Sequence, residues 1–140
     1  MTLWGQRFLA VAAAMWAVAA AAAGDPPEWS APVQPFRIAG HVYYVGTKGL
    51  AAYLIVSNQG AILLDGTTAE NAALIERNIQ SLGVALRSVK LLISDHAHSD
   101  HVGALAQIKQ DTGAKFLASE KQRTFNVFYV PDATNPAAVP

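Results

Sequence analysis

Three of the chain's four histidines fall within six residues, His96-Ala97-His98-Ser99-Asp100-His101, and a short apolar run over 89–93 leads into them. No other feature narrows the fold as far. Val89, Leu91, Leu92 and Ile93 read as a buried strand. Val102, Leu105 and Ile108 read as a helix that ends at Gly113. The cluster therefore lies where a strand hands over to a helix, the place where open α/β sheets put their ligands. Imidazole and carboxylate donors without sulfur suit zinc first, and iron or manganese after it. On an extended turn, His96 and His98 can point at one ion. Asp100 and His101, one step further round, can face a second ion close by. A helix starting near His101 would also keep that ring neutral. The plainer alternative is a polar loop whose side chains satisfy backbone groups. Chance produces the full His-x-His-x-Asp-His pattern in roughly one chain in ten thousand of this composition, which favours metal.

The rest of the chain supplies a sheet for that turn. Ile38, then Val42 to Val45 around His41, predict strand structure interrupted near Gly40. Residues 51–57 and 61–65 predict a hairpin around Asn58-Gln59-Gly60. These runs are mostly apolar rather than alternating, as expected of a sheet covered on both faces. Thr67 and Glu70 fit a capping box, and Ala72, Ile75, Ile79 and Leu82 follow at helical spacing. Glu76, Arg77 and Gln80 would face outward, and Gly83 would end the helix. Phe116-Leu117-Ala118 predicts one more strand. The order β-β-β-α-β-α-β gives an α/β (α+β) fold with a mixed sheet and helices packed on it.

Ten Lys and Arg balance ten Asp and Glu, so no basic footprint for nucleic acid exists. The absence of cysteine excludes disulfides, a thiolate nucleophile and sulfur ligands for a metal. Residues 1–23 read as a secretory signal: one positive charge at Arg7, an uncharged run over 8–23, and small residues at Ala21-Ala22-Ala23 before Asp25-Pro26-Pro27. The uncharged run is shorter than the roughly 20 residues a retained membrane anchor needs. The expected product is periplasmic or secreted, with no stable membrane association after cleavage. Four prolines over 24–36 predict an extended arm anchored by Trp29, ahead of a domain over 37–120.

With Asp65 closing the strand over 61–64, the His-x-His-x-Asp-His signature resembles that of the metallo-β-lactamase superfamily. Trp29-Ser30-Ala31-Pro32, Pro35-Phe36, Tyr43-Tyr44-Val45-Gly46-Thr47 and Ala61 to Gly66 are similar to the opening of subclass B3, where a His follows the motif Asp as His101 does here. The resemblance covers about residues 29 to 120. It implies an αββα sandwich, of which this chain would hold the N-terminal half. It implies that His96 and His98 bind one zinc, that Asp100 and His101 bind a second, and that Asp65 supports the loop from behind the ligands. Asp65 could otherwise simply cap the turn before Thr67. His41 matches no ligand position and reads as a surface residue. The implied chemistry is hydrolysis of a β-lactam by attack of zinc-bound hydroxide on the lactam carbonyl, with Asp100 also orienting the attacking water. The same residues would serve a lactonase or a glyoxalase-II-like thioesterase.

The family pattern takes one further histidine for each zinc, and no histidine follows His101. Residues 121–140 have no helical or strand period and depart from the family, as a truncated or frameshifted end would. The expectation is a partial domain with little or no activity alone, or a non-catalytic relic.

Overall fold

The computed structural model describes residues 24–118, so the expected signal segment over 1–23 and the tail over 121–140 lie outside the described residues. A six-stranded sheet runs in chain order: β1 (Phe36–Ala39), β2 (Val42–Tyr44), β3 (Tyr53–Ser57), β4 (Gly60–Leu64), β5 (Val89–Ile93) and β6 (Lys115–Leu117). The first four strands pair antiparallel and the last three parallel, giving the mixed sheet expected. The run around His41 folds as two strands, because Gly40 takes a φ of 50° and turns β1 back onto β2. At the β3–β4 turn, Ser57 Oγ donates to the Gly60 carbonyl at 2.8 Å and accepts from the Gln59 amide at 3.2 Å. The parallel steps need helical crossovers. α1 (Ala72–Ser81) connects β4 to β5, and α2 (Ser99–Val102) with α3 (Leu105–Thr112) connects β5 to β6.

Strand pleating sends alternate residues to opposite faces. On one face Tyr43, Leu54, Leu63, Leu92 and Phe116 pair across five strands. The three leucines have no solvent exposure and pack with Ile75 and Ile79 of α1 and with Leu105 and Ile108 of α3. On the other face Phe36, Tyr44, Tyr53, Leu64, Ile93 and Leu117 form a row across all six strands. The ends of that row, Phe36 and Leu117, are about half exposed. The apolar runs in the sequence thus come from a sheet whose helices cover one face, with a second apolar face opposite.

Two helix expectations need correction. No side-chain capping bond forms at Thr67, and α1 begins only at Ala72, after a 3-10 turn over Ala69–Asn71. Thr67 has a φ of 55° and its hydroxyl accepts from Asn71, while Glu70 receives the Thr68 hydroxyl instead. The single helix expected over 101–113 is two, broken at Gly103. A Cβ there would lie 2.6 Å from both the Ala69 amide and the Ser99 carbonyl, so the chain can cross here only with glycine. Gly113, at φ 71°, ends α3 as expected.

The arm over 24–36 is tied through its backbone, and Trp29 is half-buried between exposed neighbours. Gly49 and Lys48 amides donate to the Glu28 and Ala31 carbonyls, and Asn71 Nδ2 donates to the Trp29 carbonyl at 2.9 Å. Among the described residues no helix is long and apolar enough to cross a membrane.

Polar groups on α1 generate two predictions. The buried Asn78 amide donates to the carbonyls of Val45, at 2.9 Å, and Gly46, at 3.3 Å, joining α1 to the end of β2. Asn78→Ala strands those acceptors and should lower the unfolding free energy by about 2 kcal/mol in urea titration. Glu76 was expected to face outward, yet one of its carboxylate oxygens is buried without a hydrogen-bond partner. Burial first, then a hydrogen bond and the charge of Asp111, push its carboxyl up to about 7 from the ordinary 4.5. The folded chain therefore binds more protons than the unfolded chain between those values, and stability falls as pH rises through that window. Glu76→Gln should raise the thermal midpoint at pH 8, and the gain should vanish near pH 4.5.

Candidate metal centre

Adjacent parallel strands β4 and β5 end side by side, at Leu64 and Ile93, and everything in the site hangs from their carboxyl ends. Asp65 follows β4 directly, with a φ of 62°, a region that an L-residue occupies only under constraint. Its amide donates to the Ile93 carbonyl at 2.8 Å, which docks it against the neighbouring strand. Its carboxylate, only 5% exposed, then reaches both ends of the histidine loop. Oδ1 accepts the Asp95 amide at 3.1 Å, and Oδ2 accepts from His101 Nδ1 at 3.2 Å. The Gly66 amide donates to the His101 carbonyl at 2.6 Å, adding a backbone tie beside the carboxylate. Ser94 bends the chain out of β5 by donating its hydroxyl to the His96 carbonyl.

The rings gather on the outer side of this clamp. His96 Nε2 and His98 Nδ1 lie 3.2 Å apart. Two nitrogens bound to one tetrahedral zinc, at about 2.0–2.1 Å each, would sit roughly 3.3–3.4 Å from one another. The pair thus has the spacing of two ligands of a single ion, and a donor set of imidazole and carboxylate fits zinc. His101 packs against His96 with ring centroids 3.8 Å apart, and its Nε2 lies 3.8 Å from Asp100 Oδ2. That second pair is slightly wider than two donors on one tetrahedral ion. The loop brings together all four residues singled out from the sequence, His96, His98, Asp100 and His101, with Asp65 beneath them.

Two details differ from expectation. His98 is the N-cap of α2 and His101 its third residue, so α2 is a single turn before the Gly103 break. One turn carries little macrodipole, and His101 is held instead by carboxylates on its Nδ1. The other is Asp95. Its Oδ1 lies 2.6 Å from His96 Nδ1 and 2.9 Å from His101 Nδ1, and Asp95, His96 and His101 can place ligand atoms within 4.8 Å of one another. Burial raises the Asp95 carboxyl, but the His96 hydrogen bond and the two nearby rings outweigh it and hold the group below the usual carboxylate range. The signal in the sequence was a carboxylate immediately before a metal-type histidine, a frequent partner for the non-ligating ring nitrogen. His41 is exposed in the β1–β2 turn, outside the loop.

A cavity of about 370 Å³ lined by Glu70, Ser99, Val102, Leu105 and Phe116 adjoins the loop through Ser99. None of the three rings lines it, so the chemistry sits in the loop and not in that cavity.

Known proteins share this fold. The metallo-beta-lactamase superfamily profile matches residues 45–125. A class B3 di-zinc metallo-beta-lactamase, LRA-12 from an Alaskan soil metagenome, is 46% identical with a TM-score of 0.70, over 72% of this chain and 38% of that one. GOB-18, a metallo-beta-lactamase from Elizabethkingia meningoseptica, is 49% identical with a TM-score of 0.65, over 66% of this chain and 34% of that one. BJP-1, a subclass B3 enzyme of Bradyrhizobium japonicum, is 40% identical with a TM-score of 0.68, over 71% and 38%. The chain spans less than two fifths of the length of these solved relatives. A profile match across more than half of its residues, on a fold similar to solved B3 structures, shows that the chain belongs to the metallo-β-lactamase superfamily.

Proposed function

We propose that this chain forms part of a zinc-dependent hydrolase of β-lactams, related to subclass B3. The observation that carries the reading is the 3.2 Å separation of His96 Nε2 and His98 Nδ1 on a loop clamped by a buried carboxylate. The solved relatives named as metallo-beta-lactamases, one of them di-zinc, support zinc and the substrate class.

His96 and His98 would hold the first ion, and Asp100 and His101 the second. Zinc, when bound, supplies a Lewis acid that activates water and polarises a lactam carbonyl. Asp100, with Oδ2 3.8 Å from His101 Nε2, would accept a hydrogen bond from the attacking water and orient it. Asp65 prepares the site beforehand by holding both ends of the loop, so little reorganisation remains when substrate arrives. Export through the segment over 1–23, to the periplasm or the medium, completes the proposal. A mature N-terminus at or next to Gly24 in the exported protein would bear this out, and retention of Met1 would count against it.

A catalytic zinc takes three protein ligands. These 140 residues offer two for each ion, with no histidine after His101 and no cysteine. Two outcomes are expected. In competition with a chromogenic chelator the chain binds zinc, and His96→Ala or His98→Ala weakens binding by more than about 100-fold, beyond the loss typical of outer partners. A chain that ignores zinc, or alanine variants that bind it as tightly, would overturn the metal assignment. Hydrolysis of a chromogenic cephalosporin by the zinc-loaded 140 residues stays near background. Rapid turnover would show that two donors per ion suffice.

A further inference from the structure

We infer that Asp95 is a positioning residue, which fixes the His96 ring with its proton on Nδ1 and so turns the Nε2 lone pair toward the metal. The inference rests on the zinc reading above, but its structural half can be tested without zinc.

Asp95 could act in either of two ways. As a ligand, its oxygen would share an ion with ring nitrogens and sit about 3.3 Å from them, as donors around a tetrahedral zinc do. Its Oδ1 instead lies 2.6 Å from His96 Nδ1 and 2.9 Å from His101 Nδ1, which are hydrogen-bond distances. A carboxylate only accepts, so each ring must donate from Nδ1, and neutral imidazole then carries its lone pair on Nε2. In His96 that nitrogen is the one facing His98 Nδ1 at 3.2 Å. Asp95 is itself held in place, because its amide donates to Asp65 Oδ1.

The two rings depend on Asp95 unequally. His101 Nδ1 also has Asp65 Oδ2 at 3.2 Å, whereas the carboxylate facing His96 Nδ1 is that of Asp95. Removing the Asp95 carboxylate therefore frees His96 to move its proton to Nε2 and reverse its hydrogen bond with His98 Nδ1, so that the Nε2 lone pair is lost to the metal. His101 stays oriented by Asp65.

The test uses the full chain with ¹⁵N-labelled histidine rings, wild type against Asp95→Ala and Asp95→Asn. In the zinc-free wild type, His96 and His101 should both show the Nδ1–H tautomer. In Asp95→Ala, His96 should change to Nε2–H while His101 does not, and zinc affinity should fall about 10- to 100-fold at unchanged stoichiometry. Asp95→Asn, whose amide oxygen still accepts, should restore both the His96 tautomer and an affinity within about 3-fold of wild type. An unchanged His96 tautomer in Asp95→Ala would overturn the inference. An Asp95→Asn variant as weak as Asp95→Ala, with one zinc lost, would overturn it in favour of direct ligation. The tautomer change in Asp95→Ala, together with a wild type that binds no zinc, would sink the zinc reading alone and leave the hydrogen-bond role standing.

Discussion

One buried carboxylate organises this structure. Asp65 leaves β4 in a conformation that costs on the order of 1–3 kcal/mol, and its hydrogen bonds give that cost a function. It bonds the end of β5 through its amide and the two ends of the histidine loop through its oxygens. Without it, residues 95–101 would be an exposed polar loop with three rings free to face water. With it, the loop becomes part of the sheet's rigid edge, and the spacing of His96 and His98 is inherited from the strands.

The same logic explains why the surrounding glycine and threonine positions are so particular. Thr67 takes a positive φ two residues after Asp65, and its carbonyl packs where a Cβ on Gly103 would stand. Loop 65–68 and the start of α3 thus approach too closely for any side chain between them. Packing at that junction and the geometry of the site are one constraint, which is why position 103 takes no side chain.

Much of this was legible in the residues. The period of Ala72, Ile75 and Ile79 locates α1, and the apolar run over 89–93 followed by His-x-His-x-Asp-His locates both β5 and the site. Residues whose role depends on a distant partner were not legible. Thr67 and Glu70 have the spacing of a capping box, but Asn71 engages the Thr67 hydroxyl and the true turn starts later. Asn78 looks like an ordinary helix-surface polar residue until Val45 and Gly46 close over it. Glu76 looks solvated until Asp111 faces it from α3. Asp95 stands next to a metal-type histidine in the sequence, but only the folded loop shows it between His96 and His101. Local periodicity reports which face of an element is apolar. It does not report which polar groups tertiary contacts will bring together.

The site depends on imidazoles sharing an ion. X-ray absorption at the zinc edge, on the chain carrying one equivalent of zinc, reads that shell directly. It should show nitrogen and oxygen neighbours only, with two imidazoles at about 2.0–2.1 Å. A shell of water oxygens, free of imidazole scattering, would contradict it.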